Sequence, residues 1–235
     1  MAEDEHDARR ESAAYIHGAV QPRYGEVHIR NRGRLPHWEK EEGLYFITFH
    51  LADSLPHSVL AKIAERHRIL EAANNIDANL LPEQKALLAE YCHARIEEYF
   101  DQGAGSCPFR DMRVAGAMAA ALRFREGIHY RLLAWCIMPN HVHVVVRLFP
   151  GQELAKVVKA WKSFSAKAAN QTLEQKGRFW QREYYDRLIR NGDELDRAIR
   201  YVVENPAKAG LKNWTWVWSA DVDVRATADQ PPQRA

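Results

Sequence analysis

The 235-residue sequence is poor in cysteine and has no long apolar run. Its three cysteines, Cys92, Cys107 and Cys136, are scattered and form no CxxC pair, so they supply neither a disulfide framework nor a cysteine zinc site. No stretch approaches the ~18 uncharged apolar residues that a membrane-spanning helix needs. The N-terminus also lacks the basic-then-apolar order of a signal peptide: Glu3, Asp4, Glu5, Asp7 and Glu11 outnumber Arg9 and Arg10. These absences predict a cytoplasmic protein. There is no visible internal repeat, and the formal net charge is only +2. That charge is unevenly spread: residues 151–212 hold 13 Lys or Arg against 8 Asp or Glu. A cationic C-terminal half is compatible with a polyanionic partner and equally with an ordinary solvated face.

With 46% hydrophobic and 27% charged residues, the chain can bury a real core. Its length exceeds the ~150-residue prior for one domain, which suggests one elaborated domain and not two enzymes in tandem. Residues 1–30 show no hydrophobic periodicity and read as a mobile arm, with order beginning near Arg34 to Trp38. Leu44 to Leu51 is rich in β-branched and aromatic residues and reads as a buried strand. From 58 to 100, apolar residues recur at helical spacing in two runs parted by Asn74 to Asn79, a helical pair. An Ala-rich helix is expected over 113–125. Strands are expected over 130–138 and 141–148, joined by Pro139-Asn140, followed by a lysine-bearing helix over 151–170. Residues 179–190 suggest a short strand with one core face and one wet face. A helix over 193–205 is expected to stop at Pro206. Trp214, Trp216 and Trp218 alternate and should pack on the body, with residues 221–235 a disordered tail. This order predicts an α+β fold: a ferredoxin-like βαββαβ sandwich with a mainly antiparallel sheet and a helical insertion, a single domain over 31–220.

Chemistry concentrates in Met138-Pro139-Asn140-His141-Val142-His143-Val144-Val145-Val146. On a strand, His141 and His143 point the same way with α-carbons ~6.6 Å apart, close enough for both imidazoles to reach one ion. The alternative is a hydrogen-bonded pair of core or edge histidines. A histidine-triad hydrolase would need a third histidine where Val145 stands. Two imidazoles leave a divalent ion under-coordinated, so a further ligand must come from elsewhere. In Arg200-Tyr201-Val202-Val203-Glu204-Asn205-Pro206, Tyr201 and Asn205 share a helix face within ~6 Å. Asn205 could lend a carbonyl oxygen and Tyr201 a phenol; the plainer readings are a packing tyrosine and a helix-terminal asparagine. Tyr184 and Tyr185 are rival phenols with no ligand partner four positions away. Lys156, Lys159, Lys162 and Lys167 on one helix, with Arg178, Arg182, Arg187 and Arg190, are candidate phosphate contacts, with solvation as the alternative.

Four stretches resemble the REP-associated tyrosine transposases, single-tyrosine HUH endonucleases related to bacterial insertion-sequence transposases. They are Arg34 to Trp38 with Tyr45 to Pro56; Met138 to Val146; Phe179 to Arg190; and Tyr201 to Leu211. The resemblance implies a nuclease and strand transferase dependent on Mg²⁺ or Mn²⁺, active in transposition and DNA recombination on single-stranded DNA at hairpin-forming repeats. It implies His141, His143 and Asn205 as metal ligands, the last being Gln in insertion-sequence relatives. It implies Tyr201 as the nucleophile that forms a 5′-phosphotyrosine. Arg34 and His37 would add contacts at the hairpin foot, and the protein would act as monomer or homodimer. A domesticated hairpin-binding protein with little chemistry is the other function open to this fold.

Overall fold

The computed structural model describes residues 28–31, 36–54 and 103–220. The expected arm over 1–27, the helical pair over 58–100 and the tail over 221–235 lie outside the described residues, as do Cys92 and Arg34. Strands β1 (His28–Asn31) and β2 (Pro36–Glu39) pair antiparallel, with Ile29 opposite Trp38. The expected arm boundary near residue 30 therefore falls inside a strand, because ladder pairing with Pro36–Glu39 orders a stretch whose own pattern is too short to show periodicity. Only the backbone of His37 is described, in β2.

The body begins with β3 (Leu44–His50) and a 3-10 turn at Pro108–Arg110. Then come α1 (Met112–Arg123), β4 (Tyr130–Ile137), β5 (His141–Leu148), α2 (Leu154–Thr172) and β6 (Tyr185–Leu188). The strand order β6-β3-β5-β4, all antiparallel, is the ferredoxin-like plan, and β7 (Val217–Ser219) extends it to five strands by pairing with β4. The alternating tryptophans thus do more than pack: Trp218 lies opposite Trp135 in a ladder, and Trp214 Nε1 donates to the Ile137 carbonyl at 2.8 Å. The remaining element is α3 (Gly192–Lys208).

Both faces of the sheet are covered, which explains why β5 reads as nearly continuous valine and not as an alternation. On one face Tyr45, Ile47, Phe49, Val142, Val144 and Val146 pack with Val114, Met118 and Leu122 of α1 and Val157, Val158 and Trp161 of α2. On the other, Leu44, Phe46, Val145, Ala134 and Cys136 pack with Leu195 and Val202 of α3. Burying Leu195 and Val202 stabilises the docking of α3 by about 1.5–3 kcal/mol each. The expected wet face of β6 is absent: Tyr184 and Leu188 pack on the α1–α2 core, while Tyr185 and Ile189 pack on the α3 core.

Two details fix α3. Asn191 caps its start, its Oδ1 accepting from Glu194 N at 2.9 Å, and Glu194 Oε2 accepts from Arg190 N at 3.0 Å. Its end corrects the expectation that Pro206 stops it, since the helix continues to Lys208. Proline removes only the bond to the Val202 carbonyl, and a residue so near the C-terminus leaves the flanking bonds in place, such as Ala209 N to Asn205 O at 3.0 Å.

Candidate active site

His50, Thr48 and Phe46 of β3 lie directly opposite His141, His143 and Val145 of β5, so all six side chains share the α3 face. His141 and His143 are buried, and their Nε2 atoms face each other at 2.9 Å. Each ring is held from behind. Asn140 Nδ2 donates to the Ala104 carbonyl, which leaves Asn140 Oδ1 to accept from His141 Nδ1 at 2.7 Å. His141 therefore carries its proton on Nδ1 and turns the Nε2 lone pair inward. His143 Nδ1 meets Thr48 Oγ1 at 2.9 Å.

From the opposite side α3 brings Tyr201, whose ring stands edge-on to His143 with centroids 5.3 Å apart and edge-on to Phe46 at 5.7 Å. Asn205 follows one turn on, about 6 Å along the helix axis. It is 1% exposed, and neither Oδ1 nor Nδ2 has a hydrogen-bond partner among the described residues. A buried amide left in this state costs about 1–3 kcal/mol. The rival phenols separate cleanly. Tyr184 faces the α1–α2 core, with Lys162 Nζ 5.9 Å from its ring. Tyr185 is on the site face, opposite Thr48, one strand further from His143 than Thr48 is.

The donors suit a divalent cation. Two ligands about 2.1 Å from one ion at a right angle stand about 3.0 Å apart, close to the observed separation of the two Nε2 atoms. Imidazole nitrogens favour Zn²⁺, Fe²⁺ or Ni²⁺ and an amide oxygen favours Mg²⁺ or Mn²⁺, so the mixed donor set does not by itself select the ion. Among the described residues no three His, Cys, Asp or Glu side chains gather as a metal group.

The sequence pattern gave His50, Thr48 and Asn140 no role. His50 is buried with its ring 5.4 Å from that of His141, and burial, then the charge of Lys162, hold its pKa well below the usual histidine range. The signal for Thr48 and His50 is their spacing of two on β3, which becomes informative only with the β3–β5 register. Asn140 is hidden by its place in a turn.

The cationic candidates divide. Lys156, Lys159 and Lys167 are exposed on α2, across the sheet from the histidines. Lys162 turns away from that row: its Nζ donates to the carbonyls of Gln181 at 2.7 Å, Arg182 at 3.2 Å and Glu183 at 3.4 Å, and burial lowers its pKa to about 8. Arg178 and Arg182 are exposed on the segment that runs past the His50 end of β3, where Gln181 N bonds to His50 O at 2.9 Å. Trp180 between them is buried among Phe49, Phe109 and Phe179, its Nε1 bonded to Ser165 Oγ at 3.0 Å, so it offers no stacking platform. Arg187 is on the α3 face with its Nη2 3.7 Å from Glu194, and Arg190 is exposed.

Residues 119–205 match the profile of a family described as "Transposase IS200 like". A Haemophilus influenzae protein named as a REP-associated tyrosine transposase is 25% identical over 43% of this chain; the match spans 65% of that relative's length. A solved REP-associated tyrosine transposase bound to a REP hairpin is 17% identical, with a TM-score of 0.46 over 85% of this chain and 88% of its own. A transposase structure from Deinococcus radiodurans is 15% identical, with a TM-score of 0.31 over 75% and 95% of the two chains. Through the segment that holds His141, His143, Tyr201 and Asn205, this chain is similar to the IS200-like transposases, and it is similar to a REP-associated tyrosine transposase.

Proposed function

We propose that the protein is a metal-dependent single-stranded DNA endonuclease and strand transferase that acts on hairpin-forming repeats through a 5′-phosphotyrosine. The observation that carries this reading is the placement of the Tyr201 ring 5.3 Å from His143, on the face where two Nε2 atoms converge at 2.9 Å. Hairpin-forming repeats as the substrate follow from the sequence resemblance, and the name of the curated relative supports the REP association.

In this reading Tyr201 Oη attacks the scissile phosphorus, the bond to the 3′ oxygen breaks, and that oxygen leaves as a 3′-hydroxyl. A free phenol has a pKa of about 10, so only about one in a thousand is ionised at pH 7 and the site must offset roughly 4 kcal/mol. Asn140 and Thr48 fix the two rings; His141 presents its Nε2 lone pair, and His143 would present its own once its ring proton sits on Nδ1, facing Thr48 Oγ1. Asn205 adds its carbonyl oxygen. His141, His143 and Asn205 would hold Mg²⁺ or Mn²⁺, which when bound would supply a Lewis acid for the phosphate oxygens. The phosphotyrosine bond conserves the energy of the phosphodiester, so a second 3′-hydroxyl can reverse the reaction without ATP. Arg178 and Arg182 would hold flanking phosphates at the His50 end of the sheet.

The test is incubation with end-labelled single-stranded hairpin-repeat DNA and Mn²⁺. A protein–DNA adduct that survives denaturing electrophoresis, requires the metal and vanishes in Tyr201→Phe is expected. Peptide mapping that puts the nucleotide on Tyr185 would overturn the choice of nucleophile. Hairpin binding with no adduct under any metal would leave a binding protein in its place.

A further inference from the structure

On α3, Glu204 and Lys208 stand one turn apart, with Lys208 Nζ 2.9 Å from Glu204 Oε2. The same ammonium lies 5.8 Å from the centre of the Tyr201 ring. Lys208 is seven positions beyond Tyr201, about 10 Å along the axis, so a lysine extended into solvent would sit well away from the phenol. Glu204, only three positions from Tyr201, draws the cation back over the ring. Tyr201 consequently has the His143 ring 5.3 Å and an ammonium 5.8 Å from its own ring centre.

The pair is open to solvent, Lys208 being 56% and Glu204 47% exposed. An exposed pair of this kind contributes little to folding, so its geometry needs no stability role. It is also exchangeable: an anion entering beside Tyr201 can displace the carboxylate from the ammonium. We infer that Lys208 is a phosphate-binding residue of the tyrosine site, positioned by Glu204 in the free protein and passed to a DNA phosphate next to the scissile one on binding. The charge balance favours this exchange, because a phosphodiester that meets Glu204 alone is repelled and one that meets Lys208 is neutralised. This inference rests on the reading of Tyr201 as the nucleophile.

The experiment uses the full-length protein with labelled single-stranded hairpin-repeat DNA and Mn²⁺, in wild type, Tyr201→Phe, Lys208→Gln, Lys208→Arg and Glu204→Gln. Lys208→Gln should lower the adduct-forming rate at limiting DNA about tenfold. It should also flatten the dependence of log affinity on log salt by about 0.7, the value for one phosphate on a single strand. Lys208→Arg should restore most of the rate, and Glu204→Gln should bind more tightly than wild type, with thermal midpoints unchanged throughout. Wild-type rate and salt slope in Lys208→Gln, with the adduct still absent in Tyr201→Phe, would overturn the role of Lys208 alone. A loss that tracks a lowered thermal midpoint and is not restored by arginine would do the same. No adduct in wild type, or one that persists in Tyr201→Phe, overturns the tyrosine reading and this inference with it.

Discussion

At the residue scale, the metal role proposed for Asn205 would account for an amide that weakens the fold that carries it. Its amide is sealed from water with both polar atoms unsatisfied among the described residues, in a helix whose neighbouring inward residues, Val202 and Leu195, are apolar. Asn205→Leu replaces the amide by an apolar group of the same branching, so it should stabilise the metal-free protein by about 1–3 kcal/mol, less whatever the bulkier methyls cost in packing. The same change should cost function, as stabilising substitutions in strained sites often do. Mn²⁺ at a hundred times its dissociation constant should stabilise wild type by about 2.7 kcal/mol. That increment should shrink sharply in Asn205→Leu. Thermal denaturation of both proteins with and without Mn²⁺ reads both effects; a destabilised metal-free variant with an undiminished Mn²⁺ increment would show that the amide is a packing residue.

At the scale of elements, α3 matters most because it alone brings Tyr201 and Asn205 to the sheet. Its start is held by Asn191, whose Oδ1 accepts from Glu194 N, and by Glu194, whose carboxylate accepts from Arg190 N, so Asn191→Ala should destabilise the protein by about 1 kcal/mol in urea or thermal unfolding. The adduct rate should change little, because Tyr201 lies nearly three turns beyond the cap. Lys162 is a second tie, joining α2 to the carbonyls of Gln181, Arg182 and Glu183. Burial outweighs those bonds and lowers its pKa from 10.5 to about 8. Between these values the unfolded chain binds the proton and the folded chain does not, so stability rises as pH increases from about 8 to 10.5, by up to roughly 3 kcal/mol. Below pH 8 the buried ammonium is a standing cost. The stability of wild type relative to Lys162→Met should therefore increase from pH 7.5 to 10; a flat difference would place the ammonium in a well-solvated setting.

The same elements show what was legible in the sequence. His141 and His143 converge because a strand alternates, and Tyr201 and Asn205 align because a helix turns, so both pairs can be read locally. Local pattern could not supply the face of the sheet on which α3 lands. That depends on Leu195 and Val202 meeting Phe46 and Val145, a match between residues about 50 to 150 positions apart. Nor could it supply the β3–β5 register that sets Thr48 behind His143, because strands buried on both faces carry no alternation to reveal it. Pro206 misled for a different reason: a proline near a helix end removes one bond and need not end the helix.

For the whole molecule, the sheet is a partition. Tyr201 and the histidines lie on the α3 side, and Lys156, Lys159 and Lys167 lie on α2 beyond the other face. With about 8–10 Å from each helix layer to the sheet, the lysine row is roughly 20 Å from the phenol. A short single strand that fills the tyrosine site cannot touch that row, whereas a hairpin stem can curve past the sheet edge to it. Changing all three lysines to glutamine should leave adduct formation on a short oligonucleotide unchanged. With the hairpin, the salt dependence of binding should flatten by about 0.9 for each duplex phosphate that the variant no longer neutralises. Weaker binding of both substrates would mean that the DNA path crosses α2 before it reaches Tyr201. Unchanged binding of both would leave Lys156, Lys159 and Lys167 as a solvated helix face and move the stem to the Arg178 and Arg182 end of the sheet.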